Sequence, residues 1–367
     1  MGENVKKIAI LTGGGDCPGL NAVIRAVAKK VILAHGWEVV GIEDGYEGLI
    51  YNRHRKIAYN DVSGILALGG TILGTSNRAN PYNYPVEEGK NTTFKDVSKT
   101  VLKNIEKLNI DCLVAIGGDG TLSIANRLFK SGVPIVGIPK TIDNDIVGTD
   151  ITFGFDSAVS VATEAIDRLH TTAQAHHRVM ILEVMGRRAG WIALYSGVAG
   201  GGDIILIPEI PYDINIIADK VEARNKKGKR FSIVVIAEGA KPRGGETTVQ
   251  RMVKDGSDPV RFGGAAFVLG EKIENLTGIE TRAVVIGHLQ RGGSPSPFDR
   301  ILGTQFGVKA VDMVKRKKFG YMVGVKKDSF VDVPFRVVAS GTKSVPINHI
   351  LVNTARSVGT SFGDKKD

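Results

Sequence analysis

The feature that most restricts the fold is an alternation running through most of the chain. A short aliphatic run is followed by a break containing glycine, and then by a longer amphipathic run. "KIAILTGG" reads as a buried strand, and "NAVIRAVAKKVILAHG" as the helix after it, closed by Gly36. "WEVVGIED", "DCLVAIGG" and "VPIVGIP" are the next strands, with "VSKTVLKNIEKLNI" and "LSIANRLFKSG" as helices among them. After a long helical run, "SAVSVATEAIDRLHTTAQAHH", the pattern repeats in "RVMILEVMG", "GWIALYSGVAGG", "DIILIPE", "NIIADKVEARNKKG" and "FSIVVIAEG". Strands alternating with helices predict parallel sheets covered on both faces. Ligands of such sheets bind at the loops that follow the strand C-termini. Later come a strand and loop, "RAVVIGHLQRGG", a long helix, "FDRILGTQFGVKAVDMVKRKKFG", and an antiparallel extended stretch, "YMVGVKKDSFVDVPFRVVA". A chain of 367 residues is too long for one small core, so two lobes or one large interwoven α/β unit are expected.

Composition narrows the ligand. The 46 glycines cluster in short runs after apolar segments, which suits backbone lying against a ligand. The net charge of +10 points to an anionic partner. No basic arm with interleaved aromatics is present, so small phosphates are expected and nucleic acid is not. "RNKKGKR" (Arg224–Arg230) reads as a solvated helix end and turn. The two cysteines, Cys17 and Cys112, lack CxxC spacing, so neither a zinc site nor a disulfide framework is indicated. No apolar stretch approaches the length of a membrane span, and the start lacks a signal peptide's apolar run. A cytoplasmic protein without a membrane partner is expected.

Three loops carry chemistry. In "LTGGGDCPGLN" a strand runs into three glycines before a helix, an arrangement whose backbone N–H groups bind phosphate. It matches neither the dinucleotide fingerprint nor the Walker loop. In "AIGGDGT" the glycines Gly117 and Gly118 let a phosphate approach, and Asp119 is placed either to hold Mg²⁺ or to cap the next helix. In "PKTIDNDIVGTD" Thr141, Asp143 and Asp145 alternate, which predicts side chains on one face of an extended segment. One carboxylate there can take a proton from a hydroxyl while another orients it or binds metal. Phosphoryl transfer needs little more from a protein than positioning and charge neutralisation.

The ordered set "GGGDCPGLNAVIR", "GIEDGYEGL", "GGDGT", "PKTIDND", "EVMGRRAG" and "TRAVVIGHLQRGGSPSPFDR" resembles the 6-phosphofructokinases, from Lys7 to about Lys343. The resemblance implies two Rossmann-like α/β lobes with the site in the cleft between them. Residues 1–153 with 291–339 are expected to form the donor lobe, and residues 154–290 with 340–367 the sugar-phosphate lobe. It implies Asp143 as the base toward the sugar 1-hydroxyl, Asp145 as its support and Thr141 as a contact of the transferred phosphoryl group. Arg187 would stabilise charge on that group, and Asp119 would hold Mg²⁺. Gly15, Tyr46, Arg78, Gly118, Gly120, Thr121 and Lys140 fall at donor positions, with Tyr46 matching an adenosine contact. Met185, Gly186, Glu238, His288 and Arg291 fall at sugar-phosphate positions. So do Arg178 and Arg282, which in the family come from a neighbouring subunit; a homo-oligomer, tetramer or dimer, is therefore implied.

Two positions bear on the donor. Glycine at Gly120 leaves space for the α-phosphate of ATP, whereas pyrophosphate-using relatives carry Asp there. Lysine at Lys140 is the residue of pyrophosphate users. A carboxylate is a steric and electrostatic veto while a lysine is another cation, so Gly120 is given more weight and Mg-ATP is the expected donor. Pyrophosphate as donor, and sedoheptulose 7-phosphate as acceptor, are the rivals; a non-catalytic regulatory subunit is a remote one, since Asp143, Asp119 and Arg187 are all present. The family's nucleotide-effector positions match Arg25, Lys29, Asp203, Lys227 and Lys229, with His170 where an arginine is expected. Ordinary helix-surface charge explains them equally well.

Overall fold

The computed structural model describes residues 6–89, 91–252 and 260–366. The chain opens with β1 (Lys7–Thr12), α1 (Leu20–His35), β2 (Glu38–Ile42), α2 (Tyr46–Tyr51) and β3 (His54–Lys56). A hairpin of β4 (Tyr84–Glu88) and β5 (Asn91–Lys95) precedes α3 (Ser98–Lys107), β6 (Cys112–Gly117), α4 (Asp119–Lys130) and β7 (Ile135–Pro139). Then follow α5 (Phe155–His176), β8 (Val179–Val184), α6 (Trp191–Ala199), β9 (Ile204–Leu206), α7 (Ile214–Lys226) and β10 (Ser232–Ala237). The last third holds β11 (Val249–Met252), β12 (Val260–Phe262), α8 (Ala265–Thr277), β13 (Thr281–Val285) and α9 (Pro297–Lys315). It ends in β14 (Tyr321–Lys326), β15 (Ser329–Pro334), α10 (Phe335–Val338) and α11 (Ile350–Ser357).

Two large sheets result. The first has the order β15-β14-β7-β6-β1-β2-β3, and the second β13-β8-β10-β9. All pairings in the second are parallel; in the first, only the two edges, β15 and β3, are antiparallel. Strands β6, β7, β8 and β10 are buried at every residue, as strands covered on both faces must be. One apolar cluster runs from α1 and α9 on the first sheet, through α5, to α6 on the second. A separate cluster covers the other face of each sheet. The chain re-enters the first sheet through β14 beside β7, and its end returns to the second, where Ser361 pairs with Ile204.

Two expectations need correction. "FRVVA" does not continue the antiparallel stretch: Pro334 ends β15 and the next four residues form a helical turn, α10, that buries Phe335. The acidic segment is not extended either. Strand β7 stops at Pro139, and Asn144 between the two carboxylates takes φ 51°, a left-handed conformation that asparagine tolerates. Its amide donates to Asp150 O at 3.3 Å, which closes the segment into a loop instead of a ladder.

Candidate active site

Strands β7, β6 and β1 are neighbours, so the loops leaving their C-terminal ends lie side by side. They are hydrogen-bonded to one another: Gly13 N donates to Ile116 O at 2.9 Å and Lys140 N to Gly117 O at 3.0 Å. The Ser76 loop joins them, with Gly14 N donating to Ser76 O at 3.1 Å and Thr75 Oγ1 to Gly14 O at 2.6 Å. Exposed Arg78 is thereby held at the rim. Thr121, buried, wedges between two glycines: a Cβ on Gly13 would lie 2.8 Å from its Oγ1, and one on Gly117 2.3 Å from its Cβ. Tyr46, expected against adenosine, is 3% exposed and donates its hydroxyl to Thr121 O at 2.8 Å. It braces the start of α4.

Gly15 faces Arg291 so closely that a Cβ would stand 2.7 Å from the guanidinium Nη1. Arg291 also donates to Asp16 O at 3.0 Å, which brings a residue from beyond β13 onto the glycine loop. Lys140 is 4% exposed and donates to Gly15 O from beneath. Burial, and then the nearby Arg291, hold its pKa below the usual lysine range, against the pull of Cys17, Asp16 and Asp143.

Asp143 is 2% exposed, and its Oδ1 has no hydrogen-bond partner. Its own N–H donates to Thr141 Oγ1 at 3.1 Å. Burial pushes its pKa up and Asp119 adds to this, while Arg291, Arg187 and Lys140 pull it down. Burial, followed by Asp143 and Asp119, pushes Asp145 up to about 7. Asp119 lies in the first turn of α4 with no capping bond from its side chain, so the capping alternative falls away. Its side chain is 60% exposed and stands 3.9 Å from Arg187 Nη1. Gly118 and Gly120 flank it, each half-buried.

That contact joins the two sheets. Met185, Gly186 and Arg187 follow β8, and Glu238 follows its neighbour β10. Met185 N donates to Gln290 Oε1 at 2.7 Å and Arg187 N to Glu238 Oε1 at 2.9 Å. Arg187 itself takes φ 51° after Gly186 at φ 146°. A non-glycine residue in that conformation is held there by its surroundings, a common sign of a working site. Burial, then the Asp143 and Glu183 charges, push Glu238 up to about 7, against the Arg187 N–H it accepts. His288 is exposed in the short turn Gly287–Arg291.

Arg178 and Arg282 are not brought to this cluster. Arg178 precedes β8 whereas Met185 follows it, and Arg282 pairs in register with Met180. A six-residue strand places the two ends about 20 Å apart. Both arginines pair with Glu280 at the opposite edge of the sheet, Arg178 Nε at 2.5 Å. The effector positions are also divided. Arg25 and Lys29 lie on α1, where Lys29 donates to Tyr59 OH at 3.2 Å. His170 bonds Gly200 O at 2.7 Å, Asp203 pairs with Arg224 at 2.7 Å, and Lys227 and Lys229 are exposed past α7.

Three buried or half-buried polar residues escaped the sequence reading. Gln290, fully buried, holds the Met185 loop. Glu209 accepts from Gly190 N and Val345 N, and Lys343 reaches the acidic loop. Gln290 lies within "GHLQRGG" but carries no charge; Glu209 ends the strand run "DIILIPE", and Lys343 lies outside every motif.

Among the described residues no group of three or more His, Cys, Asp or Glu is placed to enclose a metal. The oxygen donors of Asp119, with Asp143 and Asp145 in its field, fit Mg²⁺, which takes one or two carboxylates and completes its shell with water and substrate phosphates. No described helix is long and apolar enough to cross a membrane.

The sequence model of phosphofructokinase matches residues 7–314. ATP-dependent 6-phosphofructokinase 2 of Clostridium perfringens is 54% identical over 99% of this chain and 100% of its own. Pyrophosphate–fructose 6-phosphate 1-phosphotransferase of Amycolatopsis mediterranei is 50% identical over 93% of this chain and 96% of its own. Among solved structures, the phosphofructokinase of Pichia pastoris in the T-state superposes with a TM-score of 0.77 at 32% identity, over 93% of this chain and 36% of that one. With its matching folds, loops and relatives over nearly the whole length, this chain belongs to the phosphofructokinase family.

Proposed function

We propose that the protein transfers the γ-phosphoryl group of ATP to the 1-hydroxyl of D-fructose 6-phosphate, giving ADP and fructose 1,6-bisphosphate. The observation that carries this is Asp143: a buried carboxylate with an unpartnered oxygen, among Arg187, Arg291, Lys140 and Asp119. Asp143 accepts the hydroxyl proton as the oxygen attacks phosphorus, and releases it to solvent after ADP departs. Thr141 and Arg187 bind the equatorial oxygens of the transferring group, where charge is spread and fixed donors act most strongly. Gly15 lays its backbone along the γ-phosphate. Mg²⁺ bound at Asp119 would neutralise the donor's phosphate charge. Arg78 reaches the outer phosphates from the rim, and Tyr46 and Thr121 keep the loops in register.

Residues 1–153 with 291–339 act as the donor lobe, and 154–290 with 340–367 as the sugar lobe. Met185, Gly186 and Glu238 hold the sugar ring; His288 and Arg291 hold its 6-phosphate. Arg178 and Arg282 serve the site of a neighbouring copy, which their position at the far strand ends supports. Substituting Asp143→Ser is expected to lower kcat about 10²–10⁴-fold with little change in the KM for ATP. Unchanged turnover would remove the base assignment.

A second reading, pyrophosphate as donor, is favoured by Lys140 and by the name of the 50% identical relative. Lys140 donates to Gly15 O within the glycine loop, a contact that does not by itself distinguish one donor from the other. That leaves Gly120 as the discriminating residue, and it favours ATP.

A further inference from the structure

Residues 342–345 run between the two sheets and are bonded on both sides. Toward the acidic loop, Thr342 forms an antiparallel bridge with Ile146, and Lys343 N donates to Asp145 O at 2.7 Å. The Lys343 ammonium donates to Asn144 Oδ1 at 3.1 Å, Thr149 O at 2.9 Å and Asp150 O at 2.9 Å. Toward the second sheet, Trp191 Nε1 donates to Lys343 O at 2.8 Å, and the ammonium stands 5.4 Å from the Trp191 ring centre. Val345 N donates to Glu209 Oε1 at 2.8 Å, and Glu209 accepts Gly190 N through both oxygens at 3.0 and 3.1 Å. Gly190 closes the loop that carries Arg187. The strap therefore connects the loop of Asp143 and Asp145 to the loop of Arg187.

An ammonium has three N–H donors and no acceptor, and here it meets three neutral acceptors on the loop. Two of them are backbone carbonyls at the loop's closing end, and the third is the side chain of left-handed Asn144. Burial lowers the Lys343 pKa to about 8, so its bonds are made at a desolvation cost that a merely solubilising lysine does not bear. We propose that Lys343 is a positioning residue for phosphoryl transfer: together with Glu209 it fixes the Asp143 loop against the Arg187 loop. This rests on the reading of Asp143 as the base and adds the device that holds it in place.

The test compares Lys343→Met, which keeps the stem and removes the donors, with Glu209→Gln, which keeps the shape and weakens the far end of the strap. Lys343→Met is expected to lower kcat about 10- to 100-fold while the KM values for ATP and fructose 6-phosphate stay within about threefold, because small displacements of reacting groups cost that much. Lys343→Arg is expected to recover part of kcat. Wild-type kcat in Lys343→Met, with only its melting temperature lowered, would overturn the proposal. If Lys343→Met does not fold, Glu209→Gln decides: a lowered kcat supports the strap and an unchanged one overturns it. In an Asp143→Ser background Lys343→Met is expected to cost less than it does in the wild type, because Thr141 and Arg187 are then the remaining groups the strap aligns, and a fully additive loss would overturn it. Full activity of Asp143→Ser alone would instead sink the base reading, which keeps the two failures apart.

Discussion

Asp143 is pulled in two directions, and the pulls are separable by mutation. Burial raises its pKa, while Arg291 and Arg187 favour the carboxylate. The acid limb of kcat/KM, which reports the free enzyme, is therefore expected above the ordinary carboxylate range. Arg187→Gln removes a cation that lowers the pKa, so the limb should move to higher pH while kcat falls. A limb that stays put or moves down would show that Asp143 does not govern it. Gly15→Ala tests the neighbouring contact, since its Cβ would displace the tip of Arg291. A higher KM for fructose 6-phosphate with a nearly unchanged melting temperature is expected, beside any effect on ATP, whose γ-phosphate the same loop faces; an unchanged KM for fructose 6-phosphate would place Arg291 elsewhere. The charged members of this cluster were legible in the sequence because their residue types announce chemistry. Gln290, Glu209 and Lys343 were not, because their role lies in hydrogen bonds to distant backbone that no local spacing encodes.

Packing between elements is in places too close for any side chain but glycine's. At Gly117 a Cβ would fall 2.3 Å from the Thr121 Cβ, within the packed start of α4. Gly117→Ala is expected to cost about 1–3 kcal/mol, read as a fall in melting temperature. Between α5 and α9, buried Asp299 accepts from Ser157 N at 2.8 Å and Ser157 Oγ at 2.6 Å, while its Oδ1 has no partner. Burial raises its pKa from 3.8 to about 6, so the fold binds this proton more tightly than the unfolded chain does. Stability from this group is therefore largest below pH 4, declines between about 4 and 6, and stays at the lower level above 6. Asp299→Asn removes that titration. Relative to it, the wild type should lose up to roughly 3 kcal/mol across the window, and parallel pH profiles would contradict the assignment. The elements themselves were readable from alternation, since β6, β7, β8 and β10 are aliphatic throughout and strands of parallel sheets are buried on both faces. The acidic segment misled because a period of two was read through Asn144, whose left-handed backbone ends the strand pattern.

At the scale of the whole molecule, the second sheet separates Arg178 and Arg282 from Met185 and Glu238 by the length of its strands. A small sugar phosphate cannot touch both ends within one chain, so the proposed roles of Arg178 and Arg282 require that a second copy supply them. Mixing Asp143→Ser chains with Arg282→Ala chains is expected to restore activity above the sum of the two, because hybrid sites combine an intact base with an intact arginine. Strictly additive activity would mean that each chain works alone. The two-sheet plan was visible in the sequence from chain length and from the repeated alternation. The strap at 342–345 was not, since its four residues have no periodicity and acquire meaning only from what they bridge. The central claim, that ATP serves this site and Gly120 permits it, is tested most directly by measuring fructose 6-phosphate phosphorylation with Mg-ATP and with Mg-pyrophosphate at matched concentrations. Turnover with ATP and none with pyrophosphate is the predicted result. Turnover with pyrophosphate alone would contradict it and make Lys140 the residue that selects the donor.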